Sequence, residues 1–241
     1  MGAFKTLTYE IRDGIAFLML NRPKALNTYN IQMRDEMYEI LCAVKDDQDV
    51  KVLIIKGNGE KAFCAGADLS EFLTAPPPVA ARKIRFERDI WGLFLEMPQP
   101  IIAAVHGYVL GSGIEIALCC DIRIASDDAK FGLPEAGLGI IPAAGGTQTL
   151  PRAVGRALAL EMLLTNRWIT APEAYNMRLV NQVVPRDKLF ETAEEMAEKI
   201  ASYNQLAVKF AKQAVMRGMD LSLSEGLYLE KGLASQLRAM T

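Results

Sequence analysis

Apolar residues along the chain fall into two rhythms. The first is a set of short, nearly uninterrupted runs: "IAFLML" at 15–20, "VLIIKG" at 52–57, "PIIAAV" at 100–105 and "DIRIA" at 121–125. Runs of this length with few polar breaks predict strands buried on both faces. "LTYEI" and "IAFLML" flank Asp13-Gly14, which predicts a hairpin with a tight turn. The second rhythm is helical. Met33, Met37, Ile40, Leu41 and Val44 follow the i, i+4, i+7, i+8, i+11 spacing of one helix face. Residues 80–97 read as another amphipathic helix, preceded by the proline-rich break "TAPPPVA". In "GYVLGSGIEIALCCD", 107–121, a glycine-spaced turn runs into an apolar helix. Strand, helix, strand recurs through the first two-thirds, so an α/β fold with covered sheets is expected.

After "AAGGTQTLPRAVG" the pattern turns helical. Thr170 and Glu173 have the spacing of a capping box. Further helices are expected over roughly 187–202, 204–217 and 221–239. The organisation read from this change is a core over 1–186 and a helical region over 187–241. No internal repeat is visible.

Composition narrows the class. The chain has 241 residues, is 51% hydrophobic and carries a net charge of −2. That describes a globular protein with a large core, not a disordered or nucleic-acid-coating chain. No apolar run approaches the ~18 residues of a membrane span. "MGAFKTLTYEIRDG" has neither a secretory nor a transit character, so a reducing cytoplasm is the expected setting. The cysteines, Cys42, Cys64, Cys119 and Cys120, lack CxxC spacing, and His106 is the single histidine. No metal site and no disulfide framework is expected. His106 ends an apolar strand and reads as structural rather than as part of a nucleophilic triad.

Two carboxylates stand in low-charge surroundings. Glu115 follows "GSG" on the first turn of the apolar helix, and Glu135 follows Pro134 in "KFGLPEAGLGIIPAAGG". Each could be a surface charge favoured by a helix dipole by ~0.3–1 kcal/mol. As a pair in one pocket they would suit acid/base chemistry, one ionised and the other protonated. "CAGAD" and "LGSGIE" are glycine turns leading into helix starts, where free N–H groups can converge on an oxygen. "GSGIEI" lacks the third glycine of a dinucleotide fingerprint. The basic cluster Arg82, Lys83, Arg85 and Arg88 reads as a solvated helix face or as an attractor of ligand phosphates. It has no aromatic interleaving, so nucleic-acid binding is not supported.

Taken together, "LNRPKALN", "AFCAGADLSEF", "PIIAAVHGYVLGSGIEIALCCDIRIAS", "KFGLPEAGLGIIPAAGGTQTLPRAVG" and "WITAPEAYNMRLVNQVVP" resemble the enoyl-CoA hydratase (crotonase) family. The resemblance covers nearly the whole chain, with the motifs in the family's order. It implies a spiral of ββα units with a C-terminal helical trimerisation region, and a homotrimer or a hexamer built as a dimer of trimers. It implies an acyl-CoA substrate, with no metal and no cofactor beyond the coenzyme A of the substrate itself. By motif position the backbone N–H groups of Ala67 and Ser112 would hold the thioester oxygen. Coenzyme A would lie near Lys24, Ala25 and Leu26 and near Ala65, Gly66, Asp68 and Leu69.

Hydratases of the family carry glutamates at both positions matched by Glu115 and Glu135, whereas isomerases commonly keep the second alone. The chain therefore resembles a hydratase acting reversibly on the α,β double bond, with Glu115 as base on water and Glu135 as proton donor to the α-carbon. The alternatives are a hydratase of cyclic dienoyl- or cyclohexenoyl-CoA, an isomerase, or a CoA- or RNA-binding member without turnover. Three features depart from the family pattern. Ser112 stands where glycine is common, the loop "LTAPPPVAARK" is proline-rich, and "LASQLRAMT" stops short of a basic tail.

Overall fold

The computed structural model describes residues 4–74 and 87–240. The proline-rich loop and most of the basic cluster lie outside the described residues, as does the first part of the helix expected over 80–97. Strands β1 (Leu7–Arg12) and β2 (Ile15–Leu20) form the expected hairpin, in antiparallel register. Asp13 and Gly14 both take positive φ, 53° and 78°, as a tight hairpin turn matching strand twist demands. Helix α1 (Ile31–Asp46) buries Met33, Met37, Ile40, Leu41 and Val44, the face its spacing predicts.

From there the chain climbs in repeating turns, each giving one strand to a large sheet and one to a small sheet. β3 (Val52–Gly57), β5 (Ile101–Val105) and β7 (Ile122–Ser126) join the large sheet. β4 (Ala62–Cys64), β6 (Tyr108–Leu110) and β8 (Lys130–Gly132) join the small one. Helices α2 (Ile90–Glu96) and α3 (Ser112–Cys119) fall between successive pairs. β9 (Ile169–Thr170) closes the small sheet and β10 (Gln182–Val184) the large one. The orders are β1-β2-β3-β5-β7-β10 and β4-β6-β8-β9. β2-β3-β5-β7-β10 and β4-β6-β8 pair in parallel.

The apolar runs are continuous because both faces of the large sheet are covered. Leu53 and Ile55 of β3 and Ile101, Ala103 and Val105 of β5 face the main core with α1, α2 and α3. Their alternates Val52, Ile54, Ile102 and Ala104 meet Leu189, Ala193 and Ala197 of a later helix, residues 189–201. Each aliphatic side chain so buried contributes roughly 1.5–3 kcal/mol. That helix, which the sequence pattern groups with the C-terminal region, thus covers the outer face of the large sheet.

The helices Gly146–Val154 and Arg156–Thr165 are α4 and α5, and Ala171–Asn176 is α6. Thr170 caps α6 in the expected capping box with Glu173. With Leu189–Ala201 as α7, the last two helices are α8 (Gln205–Gly218) and α9 (Leu223–Met240). They pair with each other and bury little: α8 has no buried residue and α9 only Leu233. Lys212 of α8 donates from Nζ to Asp121 Oδ2 at 2.7 Å and to the Gln99 carbonyl at 2.9 Å. The same Asp121 oxygen accepts the Ile101 N–H at 2.7 Å, so this ion pair moors the pair of helices where β5 begins.

Candidate active site

β4, β6 and β8 are parallel neighbours, so the segments leaving their C-terminal ends emerge at one edge of the small sheet. After β4 comes the Ala65-Gly66-Ala67 turn, after β6 the Gly111-Ser112 turn, and after β8 Leu133, Pro134 and Glu135. The first two turns touch. A Cβ on Gly111 would stand 3.3 Å from Gly66 Cα and 2.8 Å from Glu135 Oε1. Gly111 also holds φ 49° and ψ −121°, a conformation closed to residues with side chains. The turn continues into α3, whose Gly113 lies so close to the Cys64 carbonyl oxygen that a Cβ would be 2.2 Å from it.

The backbone leaves donors at this junction. Tyr29 N–H donates to the Gly66 carbonyl and Asp68 N–H to the Tyr29 carbonyl, each at 2.8 Å. That parallel bridge uses the residues on either side of Ala67, and turns Ala67's own N–H away from Tyr29. Ser112 is the first residue of α3, where an N–H has no partner within the helix. Serine is accommodated at 112, because the positive φ falls on Gly111 and not on Ser112.

Glu115, on the first turn of α3, is only 2% exposed, which removes the reading of a surface charge at a helix end. Its Oε1 accepts the N–H groups of Ala144 (3.0 Å) and Gly146 (2.9 Å), from the glycine-rich stretch entering α4. Burial pushes its pKa up, and the two amides pull it partly back. Glu135 is half-buried on a single 3-10 turn, Pro134–Leu138. Desolvation, with the charge of Glu115 added, raises its pKa to about 7. Its Oε2 is buried with no hydrogen-bond partner among the described residues. One carboxylate is thus held by fixed donors in an acceptor role, and its neighbour is poised to carry a proton near neutrality.

The segments expected to meet coenzyme A also come together. Pro23–Ala25 form a 3-10 turn, Ala65 N–H donates to the Leu26 carbonyl at 3.0 Å, and Lys24 and Leu69 are exposed. Asp68 is already engaged. Its carboxylate accepts from Ser70 Oγ at 2.7 Å and from Arg22 Nη2 at 2.8 Å, and these bonds hold its pKa low. Arg88 pairs with Asp35 at 3.2 Å. His106 is buried with Nε2 facing the Gly59 carbonyl at 3.0 Å. Desolvation lowers its pKa to about 4, so it stays neutral, as its structural reading requires.

Sequence reasoning missed Asn27. Fully buried, it accepts the Arg22 N–H and donates to the carbonyls of Asn58 and Ala62, all at 2.9 Å. It fastens the 22–28 loop to the strand that leads into the Gly66 turn. Asn27→Ala leaves those backbone groups unpaired at about 1–3 kcal/mol each. A clear fall in the urea midpoint is the expected outcome, and an unchanged midpoint would remove Asn27 from this role.

The enoyl-CoA hydratase/isomerase family model matches residues 10–240. A crotonyl-CoA hydratase of Syntrophomonas wolfei is 42% identical over 229 residues, covering 95% of this chain and 88% of that protein. An (E)-benzylidenesuccinyl-CoA hydratase of Thauera aromatica is 41% identical, covering 96% and 90%. The crystal structure of an enoyl-CoA hydratase from Bacillus anthracis superposes with a TM-score of 0.91 at 39% identity, covering 96% and 90%.

Proposed function

Because the chain belongs to the enoyl-CoA hydratase/isomerase family, and is by that relationship an enoyl-CoA hydratase, we propose that the Gly66 and Gly111 turns and the Glu115–Glu135 pair form its catalytic centre. The reaction is reversible addition of water across the α,β double bond of an acyl-CoA thioester. The thioester oxygen lies between the N–H groups of Ala67 and Ser112, and enolate charge collects there as the β-carbon is attacked. A preorganised donor of this kind lowers the barrier by about 2.7–4 kcal/mol. Glu115 takes a proton from the attacking water, and Glu135 delivers one to the α-carbon. The step is redox-neutral and needs no acceptor beyond these groups. Coenzyme A lies along Lys24, Ala25 and Leu26 and along Ala65, Gly66, Asp68 and Leu69.

The observation that carries this assignment is the contrast between the carboxylates: two amides on Glu115, none on the buried Oε2 of Glu135. The test is incubation with crotonyl-CoA, following loss of enoyl absorbance and product mass. A gain of one water is expected. A product of unchanged mass means isomerisation and overturns the proposal.

The pair must hold one proton in all. Hydration needs it on Glu135 and dehydration needs it on Glu115, so both directions use a state of the same total protonation. A bell-shaped kcat/KM profile is expected, with the same limbs in both directions. The alkaline limb falls near pH 7, where the pair loses its proton through Glu135. Profiles that rise steadily through pH 8 in either direction would contradict the assignment.

The same reading extends to assembly and location. Met219, Leu223 and Tyr228, on or beside α9, are 73%, 81% and 81% exposed, an apolar load that favours burial between subunits. We read the chain as a homotrimer or a dimer of trimers, to be checked by light scattering. No helix among the described residues is long and apolar enough to cross a membrane, and a cytoplasmic location fits the cysteine usage.

A further inference from the structure

Beyond the reacting groups, one neighbour of the site has a side chain that the proposed chemistry does not use. Tyr29 lies directly beside Ala67 in the parallel bridge, and its N–H and carbonyl are both tied, to Gly66 and to Asp68, at 2.8 Å. Bridge partners carry their side chains on the same side of the pairing, so the Tyr29 ring accompanies the Ala67 methyl. The ring centroid lies 5.9 Å from that of Trp91, tilted by 48°. Trp91 in turn lies 6.5 Å from Phe94, one turn along α2 and fully buried. Asp89 caps that helix by accepting the Gly92 N–H. Desolvation by burial pushes the Tyr29 phenol far above the ordinary range. No described residue pairs with its hydroxyl.

These placements combine into a wall. Its backbone is pinned on one side and its second ring is backed by the core on the other, so it cannot swing aside as a surface side chain would. It stands beside the Ala67 donor, on the face of the bridge that carries the Ala67 methyl. An acyl group whose thioester oxygen sits on that donor must extend its β-carbon toward Glu115, and its tail past that carbon.

Resting on the hydratase reading above, we infer that Tyr29, backed by Trp91, sets acyl length: the wall admits a short enoyl group such as crotonyl and excludes a medium linear chain. The ring, not the hydroxyl, is the working part, because exclusion is a matter of volume.

The test is the ratio of kcat/KM for crotonyl-CoA to that for decenoyl-CoA, measured on one preparation of each variant so that any loss of folded protein cancels. Wild type favours crotonyl-CoA. Tyr29→Phe keeps the wild-type ratio, and Tyr29→Ala moves it toward decenoyl-CoA by about tenfold or more, the scale on which an apolar pocket discriminates single methylenes. Should Tyr29→Ala fail to fold, Trp91→Leu is expected to move the ratio in the same direction. Wild type that hydrates crotonyl-CoA, with a ratio left within about twofold by the truncation that folds, overturns this inference alone. Wild type that already prefers decenoyl-CoA does the same. Wild type that hydrates neither substrate overturns the hydratase reading, and this inference with it.

Discussion

Glu135→Gln is expected to lower kcat for crotonyl-CoA hydration by about a hundred- to ten-thousand-fold, the range general acid–base groups supply. Glutamine keeps the volume of the side chain at the half-buried 3-10 turn but has no proton to deliver at neutral pH. Glu115→Gln should fall in the same range. Its amide oxygen can still accept from Ala144 and Gly146, so the fold is spared while the base is lost. The double variant should be little worse than either single one, because the two groups serve one proton circuit. Near-wild-type turnover in both single variants would end the assignment.

Stability offers a second reading of the same substitution. Folding raises the Glu135 pKa from 4.5 to about 7. Between those values the folded chain holds a proton that the unfolded chain has lost, so this group's contribution to stability falls as pH rises through the window. Glutamine does not titrate. Glu135→Gln should therefore melt higher than wild type at pH 8, with the difference shrinking toward pH 4. A difference independent of pH would show that the carboxyl is not strained by its site.

The second large effect is expected from Gly111→Ala. The added methyl would sit 2.8 Å from Glu135 Oε1 and 3.3 Å from Gly66 Cα, on a backbone with φ 49°. The wedge parts the two turns and displaces the proton donor together. Loss of one aligned N–H costs about 2.7–4 kcal/mol, a hundred- to thousand-fold in kcat. Disturbance of Glu135 deepens that. The backbone strain adds roughly 1–3 kcal/mol to the cost of folding. Ser112→Ala, in contrast, should leave kcat within about threefold, because the donor there is backbone. If Gly111→Ala retained full turnover in a folded protein, the junction of the turns would not be the place where charge develops.

Much of this architecture is legible in the chain. The large sheet announces itself because strands buried on both faces read as unbroken apolar runs, and α1 because five core residues keep helical spacing. The small sheet is nearly silent. β4, β6 and β8 have three residues each, too few to establish a period, and their pairing is set by tertiary contacts. Glu115 and Glu135 stand out in the sequence as charges in apolar company, but their partners do not. The amides that hold Glu115 arrive from 29 and 31 residues away, and the glycine pair that lets them approach looks like an ordinary helix start. Asn27 and Tyr29 are hidden for a related reason. Each has partners more than 30 residues distant, and nothing local marks an asparagine as a clamp or sets a tyrosine beside Ala67.

The edge of the small sheet carries one further consequence. Three adjacent parallel strands deliver, in chain order, the Gly66 turn, the Gly111 turn with Glu115, and Glu135. The spacing of these groups is then a ruler graduated by the ladder itself, in rungs of about 4.8 Å. Side chains at the strand tips can change without moving the marks. A substitution at Glu135 should slow proton delivery while the oxygen stays where the rungs put it. A change inside β4 or β6 would rescale the ruler and disturb every step at once.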